Sequence, residues 1–278
     1  MPDGLMERLL TPLVRRRWRN FKANKRGYLS AWVFAMLFAL SLFAELLAND
    51  KPILVYFGDN VYFPIFQAYP ETEFGGELLT EAAYREPDVQ ELIHGKGGWM
   101  LWPPVRYSYR TVNFALTQPA PSPPSMENLL GTDDQGRDVF ARVIYGFRIS
   151  VIFGLILTFF ASVIGIAAGA VQGYFGGLAD LLGQRFIEIW NGLPNLFLLI
   201  LLASVVEPSF WWLLAIMILF GWTSLVGVVR AEFLRARNFD YVRAARSMGA
   251  SNFYVMRRHV LPNAMVATLT FLPFILNG

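Results

Sequence analysis

Apolar positions in this chain gather into five long runs, not into the short alternating or every-third-residue patterns of soluble elements. A helix needs about 20 mostly apolar residues to cross a hydrocarbon core. Residues 28–48, 147–171, 186–206, 210–229 and 260–278 each come to about that length. They predict an all-α polytopic membrane protein with five visible spans. The first run carries a single charge, Glu45, near its end. A cleaved signal peptide is the alternative there, but the run exceeds the usual apolar region of about 7–15 residues and no A-x-A site follows. A retained anchor is the better reading. The last run ends without a polar stop, so a sixth span is expected beyond it, with a true five-helix protein as the alternative.

The polar positions between the runs set the orientation. Residues 1–27 hold eight Lys/Arg against two acids, and residues 230–259 hold seven Arg against Glu232 and Asp240. Residues 49–146 hold seven basic residues against thirteen acidic ones. Counting crossings puts the two basic blocks on one side, and Lys/Arg excess marks the cytoplasm. The expected organisation is a cytoplasmic tail (1–27), a first span (28–48), an outer insertion with an interfacial helix (49–146) and a membrane core (147–278). Within the core, the loop 230–259 is cytoplasmic.

Composition narrows the chemistry. Only 16% of residues are charged, against about 25% in soluble domains. There is no Cys, and the two His, His94 and His259, lie 165 positions apart. Thiolate nucleophiles, Cys-ligated metals and an H-E-x-x-H helix are excluded. The pI near 9.2 does not point to nucleic acid, because the charge is sorted into blocks between apolar runs. No G-x-S-x-G occurs for an intramembrane hydrolase. No catalytic, cofactor-binding or metal-binding residue is expected.

The outer insertion predicts a small mixed module. Strands over 53–57 and 61–66 flank a three-residue turn, Gly58, Asp59 and Asn60, and Pro64 marks the second as an edge. A helix is expected around 80–94, and Trp99 and Trp102 belong either to the membrane interface or to this module's core. Residues 118–125 read as a stiff proline-rich spacer in preference to an SH3-type ligand. Gly95, Lys96, Gly97 and Gly98 read as a flexible turn. Thr132 and Gln135 have capping-box spacing, predicting a helix that starts there, lies along the membrane surface and turns in. In the membrane, Ala161, Gly165, Gly169 and Gly173 recur every fourth residue and present a small-residue face for an assembly or intrachain contact. Glu188 and Asn191, followed by Pro194, are polar within the third run. Glu188 reads as a functional group or as an interfacial partner of Arg185.

The loop 230–259 has its own grammar. Helix formers run from Phe239 to Met248, starting at Asn238 or Asp240, and Gly249 stands where a left-handed stop belongs. Ser251 or Asn252 would cap a second helix over 253–260, and Pro262 would open the fifth span. Tyr241, Met248, Phe253 and Tyr254 make this an apolar protrusion in an Arg collar, suited to docking a partner. The alternative is a positive-inside anchor with aromatic filler.

The segment Arg243-Ala244-Ala245, three residues, Gly249, nine residues, His259, Val260, Leu261-Pro262 resembles the coupling-loop motif of ABC importer permeases, E-A-A-x3-G-x9-I-x-L-P. Arg243 replaces Glu and His259 replaces Ile, as in the dipeptide and oligopeptide branch. There A-A-R-x-x-G-A-S matches Ala244, Ala245, Arg246, Gly249, Ala250 and Ser251. Gly131-Thr132-Asp133-Asp134-Gln135-Gly136-Arg137-Asp138, with Arg142, Gly146 and Arg148, is similar to the G-T-D-x-x-G-R-D signature of that branch, with Ala141 for its usual Ser. The resemblance covers 129–278 and the first run, and the long insertion looks most like Yej-type oligopeptide and microcin C permeases. Glu81-Ala82-Ala83 is a chance copy, with Pro87 where the motif needs Gly. The resemblance implies a type I importer in the bacterial inner membrane, taking up oligopeptides. Its parts would be two permease subunits in a heterodimer, two ATPases or one fused ATPase, and an external binding protein. ATP and Mg would belong to the partners, since this chain has no G-x-x-x-x-G-K-[ST]. ATP-driven closure of the partners would move residues 239–259. Permeases for nickel chelates or glutathione share these motifs. An uncoupled anchor or secondary transporter is the rival class, against which stand the lack of an internal repeat and the scarcity of membrane charge.

Overall fold

The structure is a computed structural model that describes residues 12–277 apart from Thr117 and Pro208. Residues 1–11 of the basic tail and Gly278 lie outside the described residues. The chain divides into two compact units, Met1–Ile149 and Ser150–Gly278.

The first unit opens with α1 (Pro12–Ala23) and α2 (Lys25–Leu42). Asn24 separates them and caps α2, its side chain accepting the Gly27 N–H at 3.2 Å. α2 stops at Phe43, and α3 (Ala44–Leu47) adds one turn. The unbroken helix expected over 28–48 is therefore interrupted. Ala44 and Ala48 are fully buried in a cluster with Val105, Tyr107, Ala141 and Tyr145, and Ala48 pairs with Val105. These contacts redirect the chain before the apolar run ends.

A three-stranded antiparallel sheet follows, in the order β2-β1-β3, from β1 (Leu54–Phe57), β2 (Asn60–Tyr62) and β3 (Trp99–Leu101). Phe57 pairs with Asn60, so the turn is the two residues Gly58 and Asp59, both at positive φ (55° and 62°). That is the primed turn whose twist matches paired strands, one residue shorter than the sequence suggested. The third strand escaped the sequence reading because three residues are too few for periodicity. Val55 and Phe57 face a core with Phe74, Tyr84, Val89 and Ile93. Trp102 packs at its rim, whereas Trp99 stacks on Tyr56 with centroids 6.2 Å apart.

α4 (Pro87–Gly95) begins later than expected, at the proline that suits a first helical turn. Ahead of it, the Ala82 N–H reaches the Tyr69 carbonyl at 2.9 Å, and Glu81 pairs with Lys51. In the Gly95–Gly98 turn the Gly98 N–H donates to Ile93, and a Cβ on Gly98 would come within 2.6 Å of the Tyr56 carbonyl oxygen. Residues near 122–125 are likewise bonded in place, the Ser125 N–H donating to the Asn128 carbonyl at 2.9 Å.

α5 (Val139–Phe175) is one helix of 37 residues, about 55 Å long at 1.5 Å per residue. The helix expected to start at Thr132 starts instead at Val139 and runs on through Val143 and Ile144 into the second apolar run. In the second unit, α6 (Gly177–Asn191) and α7 (Asn195–Val205) are bent by 69° at Gly192–Pro194. The span expected over 186–206 is therefore broken, because proline withholds an N–H and clashes with the preceding turn. Asn191 accepts the Thr223 hydroxyl at 3.0 Å, and Glu188 pairs with Arg185.

α8 (Phe210–Gly221) and α9 (Thr223–Ala236) form one apolar helix, extending seven residues past the expected end at Val229. The extension holds Arg230, whose guanidinium donates to Asp180 of α6 at 2.7 Å. Beyond α10 (Asp240–Ser247), α11 (Asn252–Val255) passes through a π-helical turn, Met256–Val260, into α12 (Leu261–Asn277). The fifth span does not open at Pro262. The π turn sits immediately before that proline, where an ordinary α turn would clash with its ring.

The repeating small residues of α5 meet α9. A Cβ on Gly165 would lie 2.5 Å from the Trp222 carbonyl oxygen, on Gly169 2.8 Å from that of Val226, and on Gly173 2.5 Å from that of Arg230. Ala161 is buried on the same face. Of the two readings left open, the intrachain contact is the one formed.

Among the described residues, Val139–Phe175, Phe210–Ala236 and Asn252–Leu276 are long and apolar enough to cross a membrane. The bent pair makes a fourth if it counts as one span. α2 is not among them: its 18 residues begin with Lys25 and Arg26. Phe159, Leu182, Ile189, Phe197 and Trp211 stand exposed on these helices, as residues solvated by lipid do.

Candidate functional site

The loop between α9 and α12 is a rigid two-helix hook. α10 ends in a complete Schellman motif: the Ala250 N–H reaches the Ala245 carbonyl at 3.1 Å, and the Gly249 N–H reaches that of Arg246 at 2.9 Å. Gly249 holds φ 81°, the left-handed conformation expected of it. Ser251 caps α11, accepting the Tyr254 N–H at 3.3 Å. Val242, Ala245, Val255 and Val260 are buried with Tyr174, Val229, Phe233 and Ala264. Tyr174 pins the hook: its hydroxyl donates to Asn252 Oδ1 at 3.0 Å and accepts the Arg246 Nε–H at 3.1 Å. Asn263 Nδ2 donates to the Tyr241 hydroxyl at 3.2 Å and the His259 carbonyl at 3.0 Å.

What the frame presents is apolar and basic. Met248 is 81% exposed and Phe253 72%, with Tyr241 and Tyr254 beside them. Asp240, Arg243, Ala244 and Ser251 are exposed as well, while Ala250, His259 and Leu261 are partly covered. The His259 ring meets Tyr254 edge-on, 5.7 Å between centroids. Such a surface can seat in a groove. Among the described residues no group of three or more His, Asp or Glu gathers to hold a metal.

The glycine- and aspartate-rich segment before α5 is built differently. Gly131 and Gly136 both have positive φ (75° and 77°), folding the segment so that Thr132 bridges to Asp138. The helix cap is Asp138, not Thr132: its Oδ1 accepts the Ala141 N–H at 2.7 Å. Thr132 instead accepts the Ser122 N–H at 3.0 Å, and Gln135 sits in the turn. Asp138 is fully buried, its second oxygen bonded by Asn128 Nδ2 at 2.9 Å. Asp133 accepts the backbone N–H groups of Gln135 and Arg137, the Arg137 guanidinium at 2.8 Å, and Arg142. Burial works against its charge, but the N–H groups and guanidinium of Arg137, with the Gln135 N–H, outweigh it and hold the carboxyl at about 2. The stability this lends is present above the ordinary carboxylate range and lost as pH falls toward that value. Two to three turns into α5, Arg148 pairs with Glu45 at 2.9 Å and Tyr145 donates to the Ala48 carbonyl at 3.0 Å. Gly146 has open space around it.

Comparison with known proteins decides the family. Residues 161–278 match the binding-protein-dependent transport system inner membrane components, and residues 12–64 match the N-terminal transmembrane domain of oligopeptide transport permease C. The inner membrane ABC transporter permease protein YejE of Escherichia coli K12 is 59% identical over 96% of this chain and 78% of its own length. This chain belongs to the oligopeptide permease C family of ABC transporter permeases. The peptidoglycan transport system permease protein YejE of Agrobacterium fabrum is 53% identical over 96% of this chain and 76% of its own length. The dipeptide transport system permease protein DppC of Bacillus subtilis is 38% identical over 53% of this chain and 46% of its own.

The permease is thus a multi-pass inner-membrane transport component. Both motif segments singled out in the sequence are ordered local structures, held by their own bonds and by residues that lie outside them. Tyr174 and Asn263 anchor the hook, and Asn113, Asn128 and Ser122 anchor the aspartate-rich turn, Asn113 donating to Asn128 at 3.0 Å. No sequence signal marks Tyr174 beyond its place after the last glycine of the small-residue face. Asn128 and Asn113 carry none at all.

Proposed function

We propose that this chain is one of two permease subunits of an ATP-driven importer that takes up short peptides across the bacterial inner membrane. ATP and Mg are handled by partner ATPase subunits, and an external binding protein delivers the substrate. The observation that carries the reading is the hook at 239–259: a frame fixed by the Gly249 stop and by Tyr174, with Tyr241, Met248, Phe253 and Tyr254 turned outward. A rigid apolar protrusion of this kind suits the groove of a moving partner. In this reading Asp240, Arg243 and Arg246 belong to its charged rim. The segment from Gly131 to Arg148 fixes the start of α5 on the outer side. The peptide class is supported by the names of the relatives, which span dipeptide and peptidoglycan transport. The substrate they have in common is peptide-containing.

The test is uptake by the complete transporter in proteoliposomes. ATP-dependent accumulation of a labelled oligopeptide is expected, competed by unlabelled oligopeptides and peptidoglycan stem peptides. Competition by nickel chelates or glutathione with none by peptides overturns the substrate class. Failure of a Walker-A ATPase to co-purify overturns the importer reading in favour of an anchor.

The proposed orientation keeps 1–27 and 230–259 cytoplasmic and 49–146 outside, with 28–48 as the first of five spans and 147–278 as the core. The positive-inside charge distribution supports it. The chain has no native Cys, and Ser125 and Ser247 are both exposed. Ser125→Cys should react with an impermeant thiol reagent added to intact spheroplasts, and Ser247→Cys only after the cytoplasmic side is opened. Labelling of Ser247→Cys from outside reverses the orientation.

A further inference from the structure

α1 has a composition and a face that the transport reading leaves unused. Its twelve residues, PLVRRRWRNFKA, include five basic residues and no acid. Val14, Trp18 and Phe21 fall at i, i+4 and i+7, one stripe of a helix, and all three are exposed. Arg16, Arg19 and Lys22 are exposed too, and the Lys22 ammonium lies 5.7 Å from the Trp18 ring, at the edge of the stripe. The stripe does not end with the helix. Rings step from Trp18 to Phe21 (5.7 Å), across Asn24 to Tyr28 (5.9 Å), and on to Trp32 (6.3 Å). They thereby join the exposed apolar surface of α2, where Leu29, Trp32 and Val33 stand.

From this juxtaposition we propose that α1 lies in the plane of an anionic lipid leaflet, with Val14, Trp18 and Phe21 in the acyl boundary and Arg16, Arg19 and Lys22 among headgroup phosphates. A short helix with aromatics on one face and cations on the other is the interfacial type. The occupant is a lipid surface because the charge is of one sign and the stripe continues into the apolar face of the adjoining helix. The inference rests on the proposed reading of 28–48 as the first membrane span. It adds a lipid-composition dependence that a positive-inside tail alone does not require: the headgroups become part of what holds the N-terminal segment in place.

The test uses single cysteines in the assembled transporter with cysteine-free partner subunits. Nitroxide labels are placed on Val14→Cys and on Arg16→Cys, in nanodiscs of mixed phosphatidylglycerol and phosphatidylcholine or of phosphatidylcholine alone. In anionic discs, position 14 should be accessible to oxygen and shielded from an aqueous nickel reagent, and position 16 the reverse. In phosphatidylcholine, position 14 should become more accessible to the nickel reagent. Arg16→Gln, Arg19→Gln and Lys22→Gln together should reduce co-purified phosphatidylglycerol, at roughly fivefold in affinity per cation removed. Water exposure of both labels in anionic discs overturns the proposal. So does shielding of position 14 from both reagents whatever the lipid, which would mean that a partner subunit covers the stripe. Uptake and thiol topology are read separately, so failure here leaves the importer reading distinguishable.

Discussion

Replacing Gly173 with leucine is expected to prevent the permease from accumulating as a folded membrane protein. At this position the backbones of α5 and α9 touch: a Cβ would sit 2.5 Å from the Arg230 carbonyl oxygen and 2.6 Å from the Phe233 Cβ. The carbonyl cannot swing aside, because it belongs to a helix held elsewhere by the contacts of Gly165 and Gly169. Forcing the helices apart also opens the cluster of Phe233, Val242 and Val255 on which the hook rests. Overpacking of this kind costs on the order of 3 kcal/mol, and Gly173→Ala should cost about 1–2 kcal/mol. Gly227, on the same helix α9, has nothing within 4 Å of an added Cβ. Gly227→Ala should therefore be neutral, or stabilising by up to about 1 kcal/mol. Membrane yield and thermal unfolding in detergent, followed by size-exclusion profile, check all three. Normal yield and melting for Gly173→Leu would mean that the α5–α9 contact is not close in the native protein.

Gly249→Val should abolish ATP-driven uptake while leaving insertion and yield largely intact. Here the obstacle is not a neighbour, since an added Cβ meets nothing within 4 Å. It is the backbone itself, at φ 81°, where an ordinary residue costs about 1–2 kcal/mol and a β-branched one is penalised most. That is too little to unfold the bundle. It is enough to break the Schellman bonds to Ala245 and Arg246 and to tilt α11 with Phe253 and Tyr254. ATPase co-purification should weaken, peptide binding by the external protein should be unchanged, and Gly249→Ala should be milder. Wild-type uptake and ATPase retention in the valine variant would show that the hook is not the coupling element.

The features legible in the sequence were those that a few neighbouring residues determine. A left-handed stop at Gly249, a cap at Ser251 or Asn252 and the every-fourth-residue face from Ala161 to Gly173 each follow from local backbone or helical geometry. The sequence left open what that face would touch, because helical spacing carries no information about the partner. The misreadings also share a cause. Thr132 and Gln135 have capping-box spacing, but the two positive-φ glycines fold the segment back and hand the cap to Asp138. The run at 28–48 is apolar enough for one helix, but burial of Ala44 and Ala48 against Val105 and Tyr145 ends it early.

By itself, then, the sequence determined that the chain is a helical membrane protein and that 239–259 is helix, stop, helix. Both depend on hydrophobicity or backbone preference within a few turns. Tertiary structure alone decided that α5 packs its small residues on α9, that Arg230 meets Asp180, and that Tyr174 holds Asn252 and Arg246. Those partners lie 50 to 78 positions apart. Their pairing depends on which helices come together, and no local preference encodes that.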